Sequence, residues 1–377
     1  MRRFWVTRVG LMLVVLLAFA GACLDPFTAP QRDNGFRFLV VDGAFRPNDT
    51  TEIRLSRTVN LGSSELPPPE AGALIQIENE AGQRAELSEV EPGRYVLPPG
   101  AVTGVRMRLL MTTQAGTRYA SDFEEVLTTP AIENVGYRFD AVDGLEYQVT
   151  TRAQNSTPLY LRWEFVETWM YTAAFESVLR FENGRIEPRL QSNFLCWQTR
   201  LSKNILIGSS LGRSNGIIAN QTVLTVSARD EKVRIKHSVL VRQQAISREA
   251  FEYWDQLAKN SQNLGSLFDP IPSELPGNIR CISNPDEPVL GYFTAAVTTD
   301  RRAFFDASTV PNRPAVDLPF EACRLDTIRN LANFNSGIYE IVTALPFQLG
   351  FGFTYTIDDC IDCEARGGTT KKPPFWE

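Results

Sequence analysis

The chain has 377 residues, of which 43% are hydrophobic and 10% aromatic, and its formal net charge at pH 7 is −6. This composition is typical of a folded globular protein that is large enough for two domains. The negative charge balance argues against binding to nucleic acid phosphates or to anionic lipid headgroups.

Residues 1–22 resemble a signal for export. Three arginines precede an apolar run over residues 9–20, and Gly21 and Ala22 stand directly before Cys23. A positive head, an apolar run and small residues before a cysteine are typical of a bacterial lipoprotein signal peptide. The run is shorter than the about 20 residues that span a bilayer, which argues against a transmembrane anchor. We therefore expect a signal peptide over residues 1–22 and acylation of Cys23, palmitate included.

Residues 23–35 are polar, contain proline and show no periodicity, which predicts a tether. Residues 36–130 predict a small β-sandwich of the transthyretin or immunoglobulin-like type. This segment is a series of short β-type runs separated by turn residues: FRFLVVDG, TEIRLSRTV, ALIQIENEAG, GRYVLPPG and GVRMRLLMTT.

Near Pro130 the sequence changes to longer β-type runs with more aromatic residues, which predicts a second, larger β-rich domain over residues 131–377. Its candidate strands are 160–165, 222–228, 233–242, 289–297 and 337–344. The strand at 233–242 has the clearest alternation, with five residues on one face that we expect to form core: Val233, Ile235, His237, Val239 and Val241.

One prominent amphipathic helix is predicted over about residues 248–263. Ser247 is placed as its N-cap, and Ile246 and Phe251 have the spacing of a hydrophobic staple. Gly265 is placed to end the helix. Trp254 lies on the apolar stripe, which predicts a packing role.

Candidate catalytic residues are few. His237 is the chain's single histidine, which excludes zinc and iron sites built on several imidazoles. Residues 208–212 match the G-x-S-x-G pattern, and Ser210, Asp230 and His237 follow in hydrolase order. The pattern requires a strand-to-helix turn, however, whereas a polar loop and another β-type run follow here. A hydrolase is therefore a poorer alternative, and we predict no catalytic residues, cofactor or metal site.

Five cysteines follow Cys23 in the chain, and they are candidates for disulfide bonds: Cys196, Cys281, Cys323, Cys360 and Cys363. In an exported chain we expect two bonds and one free thiol, with the pairing open. The C-x-x-C spacing of Cys360 and Cys363 follows a strand-like run, which favours a structural role over a redox role. Four aromatic residues of the second domain are candidates either for a ligand site or, more commonly, for core: Trp163, Trp169, Tyr171 and Trp197.

Three segments carry a family resemblance: residues 237–293, the end of the chain from residue 360, and the LPPPEAGALIQIENEAG connection. They resemble the outer-membrane lipoproteins of Bacteroidota described as domain of unknown function 4249. The resemblance implies a location in the outer membrane, on either the periplasmic or the cell-surface side. It also implies an accessory role beside TonB-dependent receptors, because the genes of the family are often found beside theirs. It supplies no catalytic residues.

Two functions from different classes follow from this resemblance. The first is a binding or accessory module that works with a TonB-dependent receptor in uptake, for a small-molecule or peptide ligand that the sequence does not identify. The alternative is a structural or envelope-assembly lipoprotein without a small-molecule ligand.

Overall fold

A computed structural model describes residues 37–59, 65–153, 158–262, 277–347 and 350–376. The predicted signal peptide, Cys23 and the tether lie outside these residues. Two compact units divide the chain, Met1–Arg37 with Thr58–Pro68 and Phe38–Arg57 with Pro69–Glu377. The architecture below is that of the second unit, which is mainly β, as the sequence predicts.

The strands follow one another through the described chain. The first nine are β1 (Leu39–Phe45), β2 (Thr51–Arg57), β3 (Leu74–Asn79), β4 (Arg84–Glu86), β5 (Ser88–Glu91), β6 (Arg94–Leu97), β7 (Arg106–Thr112), β8 (Arg118–Ser121) and β9 (Glu124–Glu125). The next nine are β10 (Ile132–Asp140), β11 (Gly144–Arg152), β12 (Tyr160–Thr172), β13 (Leu179–Glu182), β14 (Arg185–Pro188), β15 (Leu195–Leu201), β16 (Leu206–Ser209), β17 (Ile217–Val226) and β18 (Lys236–Ala245). The last seven are β19 (Ile279–Cys281), β20 (Val289–Leu290), β21 (Thr294–Ala295), β22 (Thr298–Asp306), β23 (Asp326–Ile328), β24 (Tyr339–Phe347) and β25 (Gly350–Ile357).

Two sheets that share one hydrophobic core form the first β-lobe. One sheet has the order β20-β1-β2-β6-β5 with β21 also on β1, and the other has the order β19-β8-β7-β3-β4 with β9 also on β7. Alternate residues of the longer strands enter the core, as Ile75 and Ile77 do from β3 and Leu109 does from β7. Burial of each such side chain contributes about 1.5–3 kcal/mol, so this alternation selects the register. The arrangement is β-sandwich-like.

Three strands of the first β-lobe come from a distant part of the chain. β19 pairs with β8, whereas β20 and β21 pair in parallel with β1. Gly291 lies between β20 and β21 with φ of +133°, and a Cβ there would lie 2.1 Å from the carbonyl oxygen of Val41. Glycine therefore permits both short strands to reach β1. The predicted boundary at residue 130 stays a prediction.

A second pair of sheets forms the second β-lobe. The order β10-β11-β17 faces a sheet of order β15-β12-β18-β22, with β16 also on β12, which we call the central sheet. Both contribute to one core, in which Tyr147 of β11, Trp163 of β12 and Val241 of β18 are buried. The Trp163 indole Nε1 donates to Gln243 Oε1 at 2.8 Å, which satisfies the indole N–H inside this core.

All five strands predicted for the larger domain have different bounds in the structure. Three are found as β12, β17 and β24 with shifted or extended ends, and the other two differ for reasons that the structure shows. The segment predicted as a strand from residue 233 begins with a 3-10 helix, Glu231–Val233, and β18 starts at Lys236. The carboxylate of Asp230 accepts a hydrogen bond from the Lys232 backbone N–H, which caps this helix and ends the extended conformation. The strand predicted over 289–297 is divided into β20 and β21 at Gly291.

The predicted helix is confirmed as α1, Arg248–Gln262. The Ser247 hydroxyl accepts a hydrogen bond from the Ala250 backbone N–H at 3.1 Å, as an N-cap does. Ile246 and Trp254 are buried in one cluster, which confirms the packing role of Trp254. Gly265 lies outside the described residues. No helix in the described ranges is long and apolar enough to cross a membrane.

Candidate functional site

The three residues of the alternative hydrolase do not form hydrogen bonds with one another. Ser210 Oγ accepts a hydrogen bond from the Leu159 backbone N–H at 2.8 Å, and Asp230 caps the short helix described above. His237 has two other partners. The structure therefore places Ser210 and Asp230 in local backbone roles.

His237 belongs to a buried polar chain of four side chains. The Tyr147 hydroxyl lies 3.1 Å from His237 Nδ1, and His237 Nε2 lies 3.2 Å from Glu167 Oε2. Lys232 Nζ donates to the second carboxylate oxygen of Glu167 at 2.7 Å and lies 4.6 Å from the centre of the Trp169 ring. Both nitrogens of the imidazole are thus engaged. Nε2 donates to the carboxylate, which can only accept, and Nδ1 faces the tyrosine hydroxyl, which also donates to the His237 backbone oxygen at 3.2 Å.

Burial sets the charge states of these four hydrogen-bonded side chains. The imidazole of His237 is 0% exposed, and this burial lowers its pKa more than the nearby Glu167 raises it. Burial also acts to raise the pKa of Glu167, but hydrogen bonds from His237 and Lys232 outweigh it and hold that pKa below its usual value. These four side chains consequently include a neutral histidine and a paired carboxylate, an arrangement that stabilises the core.

The cysteines form two disulfide bonds, as the sequence predicts. Cys196 is bonded to Cys363, and Cys323 is bonded to Cys360. Cys281 is a buried free thiol, 3.8 Å from a carboxylate oxygen of Glu287. The two cysteines of the C-x-x-C sequence therefore have different partners, which agrees with the structural role predicted for them.

The aromatic residues proposed for a ligand site are buried. Trp163 lies in the core of the second β-lobe, Trp169 and Tyr171 lie in a further cluster, and Trp197 lies against Trp376 at the end of the chain. Trp163, Trp169, Tyr171 and Trp197 are at most 8% exposed. The Tyr171 hydroxyl donates to the backbone oxygen of Cys363 at 2.7 Å. The outer face of the central sheet is the face opposite the core of the second β-lobe. Among the described residues, no group of three or more His, Cys, Asp or Glu has the geometry of a metal site.

One end of the outer face carries a network of ion pairs. Glu164 of β12 accepts a hydrogen bond from Arg46 Nη2 at 2.7 Å and lies 3.5 Å from Arg162 Nη2. Arg242 of β18 forms two hydrogen bonds with Asp300, at 3.0 and 3.1 Å. Burial acts to raise the pKa of Glu164, but the surrounding arginines outweigh it and keep the pKa low. Charges at this end are therefore neutralised within the protein.

The other end of the outer face is covered by the end of the chain. The backbone of Trp197 exchanges two hydrogen bonds with that of Thr369, each 2.9 Å. The Trp376 ring lies against Trp197 and Phe304, with ring centres 6.4 and 5.7 Å away. Phe375 remains 37% exposed beside this cluster. The Cys196–Cys363 bond holds the same end of the chain to β15.

Arg302 of β22 lies between the two ends of the outer face, and unlike Arg242 it has no carboxylate partner among the described residues. Its guanidinium lies 3.5 Å from the centre of the Phe375 ring, and its Nη1 donates to the Ser238 hydroxyl at 2.9 Å. None of the described carboxylates lies within ion-pair distance of it. Burial lowers its pKa, and the more distant Asp300 opposes this only in part. At neutral pH the guanidinium is charged.

Register places three aliphatic residues in line with Arg302 on the outer face. Val166 of β12 is opposite Leu201 of β15 on one side and opposite Leu240 of β18 on the other. Leu240 in turn is opposite Arg302. Leu201 is 57% exposed, and the other three side chains are partly exposed. We call this line of four residues the outer row.

Sequence reasoning did not single out Arg302. Arg242 and Arg302 look alike in the sequence, since each has one polar and one apolar neighbour. Only the register of β18 with β22 pairs Arg242 with Asp300 and leaves Arg302 beside Leu240. No local signal distinguishes the two.

Comparison with known families identifies the chain. The family described as Domain of unknown function (DUF4249) matches residues 25–302, which is more than half of the chain. The chain therefore belongs to this family, as the sequence resemblance indicates. Comparison with curated proteins finds no match.

Proposed function

We propose that this protein is a lipid-anchored outer-membrane protein, and that it acts as a non-catalytic binding or accessory module beside a TonB-dependent receptor in uptake. The observation that carries the proposal is the order of a positive head, an apolar run and Gly21-Ala22-Cys23. Several acyl chains on Cys23 would provide a stable anchor, where one chain binds only marginally.

The disulfide bonds support export. Disulfides persist in oxidising compartments such as the bacterial envelope, and they are rare where cytosolic reductants act. Here Cys196–Cys363 and Cys323–Cys360 are both formed. They fix the last part of the chain to β15 and to the segment before β23, which is consistent with a rigid exported module.

The side-chain geometry supports a non-catalytic role. A serine hydrolase needs a histidine within hydrogen-bond reach of its nucleophile. Ser210 is hydrogen-bonded to Leu159, and His237 is held by Tyr147 and Glu167. For the first β-lobe we further propose the transthyretin or immunoglobulin-like topology predicted from its strands, with a domain boundary near residue 130.

Co-purification from the native outer membrane tests the receptor partnership. The full chain with an affinity tag is solubilised in mild detergent after chemical crosslinking, and recovered proteins are identified by mass spectrometry. We expect a TonB-dependent receptor to be enriched with the wild-type chain and to be lost with Cys23→Ser, which removes the anchor. Recovery of the protein with no receptor would contradict the proposal, and recovery with other envelope proteins instead would favour an envelope-assembly role.

A further inference from the structure

We propose that the outer row of the central sheet, which contains Leu201, Val166, Leu240 and Arg302, binds an alkyl carboxylate. The guanidinium would hold the carboxylate, and the three aliphatic side chains would contact the alkyl chain. This inference rests on the proposed binding role and names a ligand class for it.

Arg302 is oriented and has no described carboxylate partner. A guanidinium offers five N–H donors in a planar fork that matches a carboxylate. Phe375 supports one face of this fork at 3.5 Å and Ser238 accepts from one Nη1 donor at 2.9 Å, so its orientation is set. No described carboxylate pairs with it, whereas Arg242 on the neighbouring strand pairs with both Asp300 and Asp49.

Aliphatic side chains lead away from the Arg302 charge along the outer row. Adjacent strands lie about 4.8 Å apart, so the line from Arg302 on β22 to Leu201 on β15 crosses three strand spacings, or about 14 Å. This length suits a medium-length alkyl chain with its charged end at Arg302. The exposure of Leu201, 57%, leaves the far end of the line open to solvent.

The outer row favours an alkyl chain over a peptide. The interior of a sheet face presents side chains, because the backbone groups there already pair between strands. A peptide lying along the outer row would place its amide groups against Val166 and Leu240 without partners, which costs free energy. An alkyl chain has no such groups, and its transfer onto aliphatic side chains is favourable.

Titration of the purified full chain with sodium octanoate in a neutral detergent tests the inference. Trp376 adjoins Phe375, so its fluorescence reports on the site. We expect saturable binding of octanoate, weaker binding of hexanoate and butanoate by up to about fourfold for each methylene removed, and at least about tenfold weaker binding of uncharged octanamide.

Variants identify the residues involved. Arg302→Gln is expected to weaken octanoate binding at least about tenfold, and Leu201→Ser to reduce the dependence on chain length. Arg138→Gln is the matched control, because it removes one arginine of an exposed ion pair with Glu146 and should leave binding unchanged. Circular dichroism and thermal unfolding check that each variant is folded, and Arg302→Lys, which keeps the charge without the fork, is expected to bind between wild type and Arg302→Gln.

Three results would overturn the inference. They are equal binding of octanoate to wild type and to Arg302→Gln, equal binding of octanoate and octanamide, and tighter binding of acetyl-trileucine than of octanoate, which would identify a peptide site. The test is independent of the receptor experiment. Octanoate binding without receptor recovery would count against the partnership alone, and receptor recovery without octanoate binding would count against the ligand class alone.

Discussion

Cys360 and Cys363 are three positions apart in the sequence, but their disulfide bonds lead to distant and different partners. Cys363 is bonded to Cys196, 167 positions earlier, and Cys360 to Cys323, 37 positions earlier. The pair therefore holds the end of the chain to two separate places, β15 and the segment before β23. A dithiol that cycles between reduced and oxidised forms would instead pair the two cysteines with each other.

The two bonds should differ in their contribution to stability. Replacing Cys196 and Cys363 together by serine is expected to lower the free energy of unfolding by about 5 kcal/mol, and replacing Cys323 and Cys360 by about 4 kcal/mol. The physical reason is that the first bond closes a loop of 167 residues and the second a loop of 37 residues. Urea unfolding of both double variants measures the difference. A larger loss from the second pair would contradict loop closure as the source.

His237 should make the protein sensitive to mild acid. Its folded pKa lies below the ordinary value of 6.5 because the imidazole is buried. The unfolded chain therefore binds a proton near pH 6.5 that the folded chain does not, and stability falls as the pH drops through this value. Between about pH 7.5 and about pH 5.5 we expect a loss of up to about 1.4 kcal/mol.

The variant His237→Gln tests this assignment. Because the chain has a single histidine, the loss between the two pH values should largely disappear in the variant, whatever its absolute stability. Glu167 also has a lowered pKa, so its contribution is lost as the pH falls below its usual 4.5, outside this window. An unchanged pH dependence in His237→Gln would exclude His237 as the titrating group.

Gly291 should tolerate no side chain. Its φ of +133° and the approach of the Val41 carbonyl to 2.1 Å of a Cβ lead us to expect Gly291→Ala to lower the free energy of unfolding by about 3 kcal/mol or more. Gly100 also has positive φ, +76°, but no atom lies within 4 Å of a Cβ there. Gly100→Ala is thus the matched control, with an expected loss of about 1 kcal/mol. If thermal unfolding shows equal losses for Gly291→Ala and Gly100→Ala, the close approach of the Val41 carbonyl contributes nothing, which would contradict the prediction.

Glu164 should stabilise the charged end of the outer face. Glu164→Gln leaves Arg46 without its carboxylate, and the Arg46 side chain is only 10% exposed. We expect a loss of about 1–2 kcal/mol, less than for a fully buried pair because Glu164 is 39% exposed. Glu187→Gln removes an exposed pair with Arg180 and should change stability by less than about 0.5 kcal/mol. Equal effects in urea unfolding would count against the network.

Sequence patterns predicted the features that depend on neighbouring residues alone. The helix at 248–262 and its Ser247 cap follow from side-chain spacing and from one hydrogen bond. The burial of His237, Val239 and Val241 follows from their alternation along one strand. The number of disulfide bonds followed from the cysteine count, but their pairing did not, since it depends on where β15 meets the end of the chain.

Relationships between distant strands could not be predicted in this way. The pairing of β19, β20 and β21 with the first β-lobe joins residues more than 150 positions apart. The contrast between Arg242 and Arg302 depends on the register between β18 and β22. These pairings and this register are set by the packing of whole sheets. No single segment of the sequence contains that information.

The proposed function depends on acylation of Cys23, and mass spectrometry of the amino-terminal peptide tests this anchor most directly. The protein is isolated from the purified outer membrane of its native host and digested with a protease. We predict that the first peptide begins at Cys23 and carries acyl chains, palmitate among them. An unmodified Cys23, a peptide that begins elsewhere, or recovery of the protein outside the outer-membrane fraction would contradict the account.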